Sequence, residues 1–130
     1  DEMRGISAKH IMIVADSCYS GTLTRSQEYI NSDKKAGVEW IKRLAEIKTR
    51  VALTSGGTEP VMDAGGQGHS VFAKYFLKSL QDNPNVIDSI GLFRQLTDMV
   101  ALNAAQTPQY ANIFKSGSEG GHFLFVKKQQ

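Results

Sequence analysis

The sequence predicts an α/β domain built on parallel strands, and three observations carry that prediction. Residues 11–15, Ile-Met-Ile-Val-Ala, form a short continuous apolar run, and residues 50–54, Arg-Val-Ala-Leu-Thr, form a second. Runs of this kind mark strands covered on both faces, as in parallel sheets. Between them, Val38, Ile41, Leu44 and Ala45 recur at helical spacing, which makes residues 38–47 an amphipathic helix with Trp40 near one edge. Strand, helix and strand compose a βαβ unit, so the two strands run parallel and the crossover is right-handed. Each strand then stops in small and polar residues, 16–21 after the first and 55–57 after the second. Ligands and chemistry in open α/β sheets gather at such carboxyl ends.

The remaining elements follow in order. Residues 22–37 are polar, lack an apolar period and read as an exposed loop. Residues 58–68 form a glycine-rich loop beside the end of the second strand, well placed to meet a ligand. His69 or Ser70 opens a helix through Leu80, with Val71, Phe72, Phe76 and Leu80 on a broad apolar face, and Asn83-Pro84-Asn85 breaks it. Ser89, as N-cap, starts a further helix to about residue 104 with Leu92, Leu96 and Val100 inward. Residues 106–121 read as a connection, and residues 122–126, His-Phe-Leu-Phe-Val, as the last strand.

Bulk numbers narrow the function classes. With 130 residues, 41% hydrophobic and 22% charged, the chain has ordinary globular composition and suits one domain or part of one. A net charge of +2, from fifteen scattered Lys and Arg, leaves no electrostatic footprint for nucleic acid. No apolar stretch approaches 18 residues and no signal-peptide pattern opens the chain, so no membrane partner is expected. A single cysteine excludes an internal disulfide and fits a reducing compartment. The expectation is a soluble, cytoplasmic chain.

That cysteine, Cys18, is the residue with the sharpest chemistry. Lone cysteines are often small buried hydrophobes, and such a residue belongs inside the apolar run. Cys18 instead follows Asp16 and Ser17 and precedes Tyr19, Ser20 and Gly21, all turn and surface types. It therefore stands just past the end of a strand, where a nucleophile is expected.

The segment Asp16-Ser17-Cys18-Tyr19-Ser20-Gly21 after an apolar strand resembles the nucleophile motif of the caspase-like cysteine peptidases, peptidase C14, in the metacaspase and prokaryotic branch. Leu53-Thr54-Ser55-Gly56-Gly57, Gly68-His69-Ser70-Val71-Phe72, Gln106-Thr107-Pro108-Gln109-Tyr110 and Gly120-Gly121-His122-Phe123 resemble that branch in its usual order. The first motif departs from the Gln-Ala-Cys-x-Gly of animal caspases. The resemblance implies part of a caspase-like three-layer sandwich, a mostly parallel sheet flanked by helices with residues 122–126 as a final, antiparallel strand. It also implies several strands ahead of the nucleophile strand. Together with a first residue that is not methionine, this reads residues 1–130 as the C-terminal portion of a single peptidase domain.

The activity implied is that of a cysteine endopeptidase cleaving after Arg or Lys. Cys18 is the nucleophile, with its own N–H as one oxyanion donor. The matching Asp in metacaspase-like enzymes lines the pocket for a basic P1 side chain, which gives Asp16 that role through charge-assisted hydrogen bonds. The plainer alternative for Asp16 is an acid bonding backbone N–H groups of its own turn. Ser55 and Gly56 border the same groove by resemblance, with a simple surface turn as the alternative.

The histidine that manages the proton lies, in the family, in a His-Gly pair roughly 50 residues before the cysteine, and here seventeen residues precede Cys18. His10 begins the nucleophile strand, about 20 Å or more from its far end at 3.3 Å per residue. His69 belongs by resemblance to a helix start, and His122 opens the last strand and is expected to satisfy a local hydrogen bond. The catalytic histidine is therefore expected from a preceding part of the same domain, which becomes a partner alongside the peptide or protein substrate.

Arg25, Lys34 and Lys35 in the loop at 22–37 raise self-cleavage during activation, though scattered basic residues in a polar loop explain them equally well. Asp63, Asp82 and Asp88 are dispersed, without the alternating carboxylates of a calcium loop, and read as solvated surface acids. No cofactor is implied, and the calcium dependence of some metacaspases leaves no mark here. The rival function is a non-catalytic caspase-like scaffold that binds peptides or partner proteins; retention of Asp16 and Cys18 argues against it. A redox-sensing thiol lacks a second, resolving cysteine.

Overall fold

A computed structural model of the chain describes residues 2–16, 37–56, 69–104 and 106–129. Within them the elements are a 3-10 turn at Glu2–Gly5, then β1 (His10–Ala15), α1 (Val38–Glu46), β2 (Thr49–Thr54), α2 (Val71–Gln81), β3 (Val86–Asp88), α3 (Ser89–Asn103), β4 (Gln109–Asn112) and β5 (Leu124–Val126). The architecture is α/β. The expected βαβ pair is present: β1 and β2 run parallel, from His10 beside Thr49 to Ala15 beside Thr54.

The sheet is mixed rather than mostly parallel. Its order is β1-β2-β4, and β4 lies antiparallel to β2, with Leu53 opposite Tyr110 and Thr54 opposite Gln109. The central position falls to β2, whose Val51, Ala52 and Leu53 are fully buried. As an edge of this described sheet, β1 is not covered on both faces as its apolar run predicted; Val14 is 38% exposed. The last strand is antiparallel, as expected, but it is shorter and pairs with β3 in a separate two-stranded sheet, Ile87 opposite Phe125.

Alternation along β2 assigns its two faces. Leu53 faces α2 and α3, where it packs with Val71, Phe72, Leu92, Leu96 and Val100; Met12 and Tyr110 border the same cluster from β1 and β4. Arg50 lies on the opposite face and is 1% exposed. Its guanidinium donates four hydrogen bonds to main-chain carbonyls: Nη1 to Met3 (2.6 Å) and Ser116 (2.7 Å), Nη2 to Ile6 (2.6 Å) and Ala8 (2.8 Å). The segment before β1 is thereby fastened to the sheet by a buried cation, and Ser118 Oγ accepts from Arg50 N–H at 2.9 Å.

The helices depart from expectation in small, explicable ways. In α1, Leu44 is buried and Trp40 and Ile41 are half-buried, while Val38 and Ala45 are exposed, so its apolar stripe is narrower than its spacing suggested. Ser70 is the N-cap of α2, accepting from Ala73 N–H at 3.0 Å. For α3 the cap is Asp88, not Ser89; the Asp88 carboxylate accepts from Gly91 N–H at 3.2 Å. Both residue types cap well, but the Ser89 hydroxyl is engaged elsewhere. It accepts from Phe123 N–H at 2.9 Å and shares a 2.6 Å hydrogen bond with the Tyr110 hydroxyl. Among the described residues no helix is long and apolar enough to cross a membrane.

Candidate functional site

Three segments converge at the carboxyl end of the parallel pair. The strand ladder continues one step past the assigned ends, where Ser55 N–H donates to Ala15 O at 3.1 Å. The next residue after Ala15 is Asp16, which is exposed. Its Oδ2 accepts a hydrogen bond from Ser70 Oγ, so the start of α2 lies directly against it. Ser70 serves both purposes at once, capping its own helix and holding the Asp16 carboxylate.

The far wall is set by Gly56. Its φ is +72°, a left-handed conformation that glycine adopts without steric penalty. A Cβ placed there would stand 1.8 Å from the Thr107 carbonyl oxygen, so the segment leading into β4 crosses immediately over it. Thr54 Oγ1 and Gln106 Oε1, on the two chain segments that meet at Gly56, are buried without a hydrogen-bond partner among the described residues.

The expected site residues therefore separate into two groups, and one unexpected residue joins them. Asp16, Ser55 and Gly56 are brought to one end of the sheet. Ser55 is fully buried, which fits neither a solvent-facing turn nor a side chain lining an open groove, and the Asp16 carboxylate bonds a distant serine. Cys18 lies outside the described residues, as do Asp63, residues 22–36 of the suspected self-cleavage loop at 22–37, and the glycine-rich loop at 58–68. Ser70, which the sequence marked only as a helix opener, joins the site through a residue 54 positions away.

The histidines are placed as follows. His10 stands at the opposite end of β1, with Nε2 2.9 Å from Ile47 O. His69 is exposed and precedes Ser70, on the same end of the sheet as Asp16. His122 is buried, with its ring edge-on to Trp40 at 5.7 Å. Its hydrogen bond is not local: Nδ1 lies 2.8 Å from Asp88 Oδ2, across 34 residues.

Asp88 is consequently no solvated surface acid. Burial pushes its carboxyl pKa up, but bonds from His122 and the Gly91 N–H, with the charge of His122, outweigh burial and hold it below the ordinary value. Nearby Tyr110 is pushed up to about 12, by burial first; the hydrogen bond with Ser89 opposes this and the Asp88 charge adds to it. Asp82 does behave as a surface acid, pairing with Lys78 at 3.0 Å with both side chains exposed. Among the described residues no three His, Cys, Asp or Glu side chains converge as metal ligands would.

Chemically, the arrangement offers an exposed, oriented carboxylate beside a buried, glycine-shaped turn, and the chain segment that follows the carboxylate carries the thiol. No family model matches the chain, and no curated protein or solved structure matches it significantly.

Proposed function

We propose that this chain carries the nucleophile of a cysteine endopeptidase of the caspase-like, metacaspase type, directed at peptide bonds after Arg or Lys. The observation that carries the reading is the placement of Asp16: an exposed carboxylate at the carboxyl end of β1, held by Ser70 and two residues ahead of Cys18. A basic P1 side chain meets that carboxylate through charge-assisted hydrogen bonds. The Cys18 thiolate attacks the P1 carbonyl carbon, and backbone N–H groups stabilise the tetrahedral oxyanion. Collapse expels the amine, protonated by a histidine, and leaves a thioester; water then releases the P1 carboxylate and restores the thiol.

That histidine is supplied from a preceding part of the domain. His10 is at the wrong end of β1 and His122 is buried against Asp88 and Trp40; His69, exposed on the same end of the sheet as Asp16, is the alternative within this chain. The caspase-like three-layer sandwich, with further parallel strands along the open edge of β1, belongs to the same proposal, as does a cytoplasmic setting.

The test is hydrolysis of fluorogenic peptides that differ only in a P1 Arg, Lys or Asp, by residues 1–130 alone and by the full-length polypeptide, each with a Cys18→Ala control. The expected result is cleavage of the basic peptides by the full-length polypeptide, dependent on Cys18, and silence from the isolated chain. Silence of the full-length polypeptide on every peptide, with and without calcium, overturns the peptidase reading in favour of a binding scaffold.

A further inference from the structure

We propose that Ser70 is the positioning residue for substrate recognition, orienting the Asp16 carboxylate so that the site prefers Arg over Lys at P1; this rests on the peptidase reading above. Asp16 is exposed and follows the last residue of β1, so a fixed orientation has to come from a neighbour. That neighbour is Ser70, whose Oγ donates to Asp16 Oδ2 while accepting from Ala73 N–H at 3.0 Å. A serine hydroxyl has one proton to donate and two lone pairs. The Ala73 N–H fixes where the oxygen sits, and the proton goes to Asp16.

The anchor behind Ser70 is rigid. Val71 and Phe72, the next two residues, are 5% and 1% exposed and pack in the cluster with Leu53 of β2. The carboxylate is thus tied through one hydroxyl to the hydrophobic core. Among the described residues Ser70 is the one donor to this carboxylate, which leaves lone pairs on both oxygens for the edge that a guanidinium requires. Arg presents a planar fork whose two parallel bonds need a carboxylate of fixed plane, whereas Lys is a point charge with rotatable donors. Fixing the plane therefore benefits Arg more than Lys.

The test uses the full-length polypeptide carrying Ser70→Ala, Ser70→Gly, Ser70→Thr or Asp16→Asn, with peptides that differ only in Arg or Lys at P1. Loss of the hydroxyl is expected to raise KM for the Arg peptide about three- to tenfold, the loss that corresponds to one ordinary hydrogen bond. Because the contact is made equally in ground and transition states, kcat should stay within about twofold, and the Arg-to-Lys ratio of kcat/KM should fall. Ser70→Thr keeps the hydroxyl and should retain both values. Ser70→Gly separates this role from helix capping, since glycine costs a cap only a few tenths of a kcal/mol; its melting temperature should stay near wild type while its KM rises. If Asp16→Asn abolishes cleavage after basic residues but Ser70→Ala and Ser70→Gly leave KM and the Arg-to-Lys ratio unchanged, Ser70 is a helix cap and the inference is wrong. If Asp16→Asn leaves cleavage intact, Asp16 is not the recognition carboxylate, and the assignment beneath the inference fails.

Discussion

Replacing Arg50 by Met should destabilise the fold by at least about 1–3 kcal/mol, the cost of leaving a buried acceptor unsatisfied. The opposing effect is real: taking a guanidinium out of water costs several kcal/mol, and apolar replacement of a whole buried ion pair is often neutral. Here only the cation is replaced. Four carbonyl oxygens, at 2.6–2.8 Å from its nitrogens, lose a donor, and of these Met3 O keeps a second one in Ile6 N–H at 3.3 Å. Those of Met3, Ile6 and Ala8 can regain water if the first segment lifts away, at the expense of its packing. Ser116 is 1% exposed, and its carbonyl stays dry unless the following loop also opens. An unsatisfied buried acceptor costs about 1–3 kcal/mol, so Ser116 alone sets a floor and the detached segment adds the rest. Arg50→Lys should fall between wild type and Met, because an ammonium lacks the planar fork that spans several acceptors. Urea midpoints measure the loss, and hydrogen exchange of residues 2–9 measures detachment. A change below about 1 kcal/mol for Arg50→Met, the size of one ordinary hydrogen bond, or unaltered exchange in residues 2–9, would refute the view that this cation fastens the segment.

Three further outcomes are expected. Gly56→Ala should cost at least about 2 kcal/mol, since an L-residue in the left-handed region carries about 1–2 kcal/mol of strain and its Cβ would sit 1.8 Å from the Thr107 oxygen; a urea midpoint within error of wild type contradicts the close crossing. Tyr110 keeps its proton to about pH 12 when folded and to about pH 10 when unfolded, so its contribution is complete below pH 10 and is lost as pH rises through 12, about 2–3 kcal/mol in all. Denaturation at pH 9 and 11.5 should show a smaller alkaline loss for Tyr110→Phe, and equal losses would contradict the buried phenol. Asp88 has a lowered folded pKa, so its contribution is present above the unfolded value near 3.9 and disappears as pH falls through the folded one; Asp88→Asn, which can still cap α3, should flatten the acid limb of the stability profile below about pH 4.

Sequence periodicity carried the framework. β1, α1, β2, α2 and α3 were legible because each repeats apolar residues over a turn or more, or packs them into a continuous run. β3 was not, because Val86-Ile87-Asp88 is three residues long and merges into the cap of α3. β4, Gln-Tyr-Ala-Asn, carries polar residues at both ends, and its pairing with β2 is decided by a partner more than fifty residues away. Arg50 reads as an ordinary polar strand opener, since its acceptors lie 42 to 66 residues away in sequence. At the candidate site, Asp16, Ser55 and Gly56 stand just past strand ends, and the family resemblance is what marked them as substrate-binding, whereas Ser70 carried only the local signature of a helix cap. Asp88 looked like a solvated surface acid and His122 like a locally bonded strand opener, yet each bonds the other across the fold.

The pairing of Asp88 with His122, and of Ser89 with both Tyr110 and Phe123, bears on how this molecule comes apart. A two-stranded ribbon in water is marginally stable by itself and ought to breathe independently of its neighbours. Here two adjacent residues fasten the β3–β5 ribbon, the first turn of α3 and the Tyr110 strand to one another. Opening the ribbon requires uncapping the helix and releasing the main sheet's edge in the same event. The amides of Gly91 and Phe123 should therefore exchange at the rate of the whole fold, one cooperative unit, and not at the faster rate of a local fluctuation.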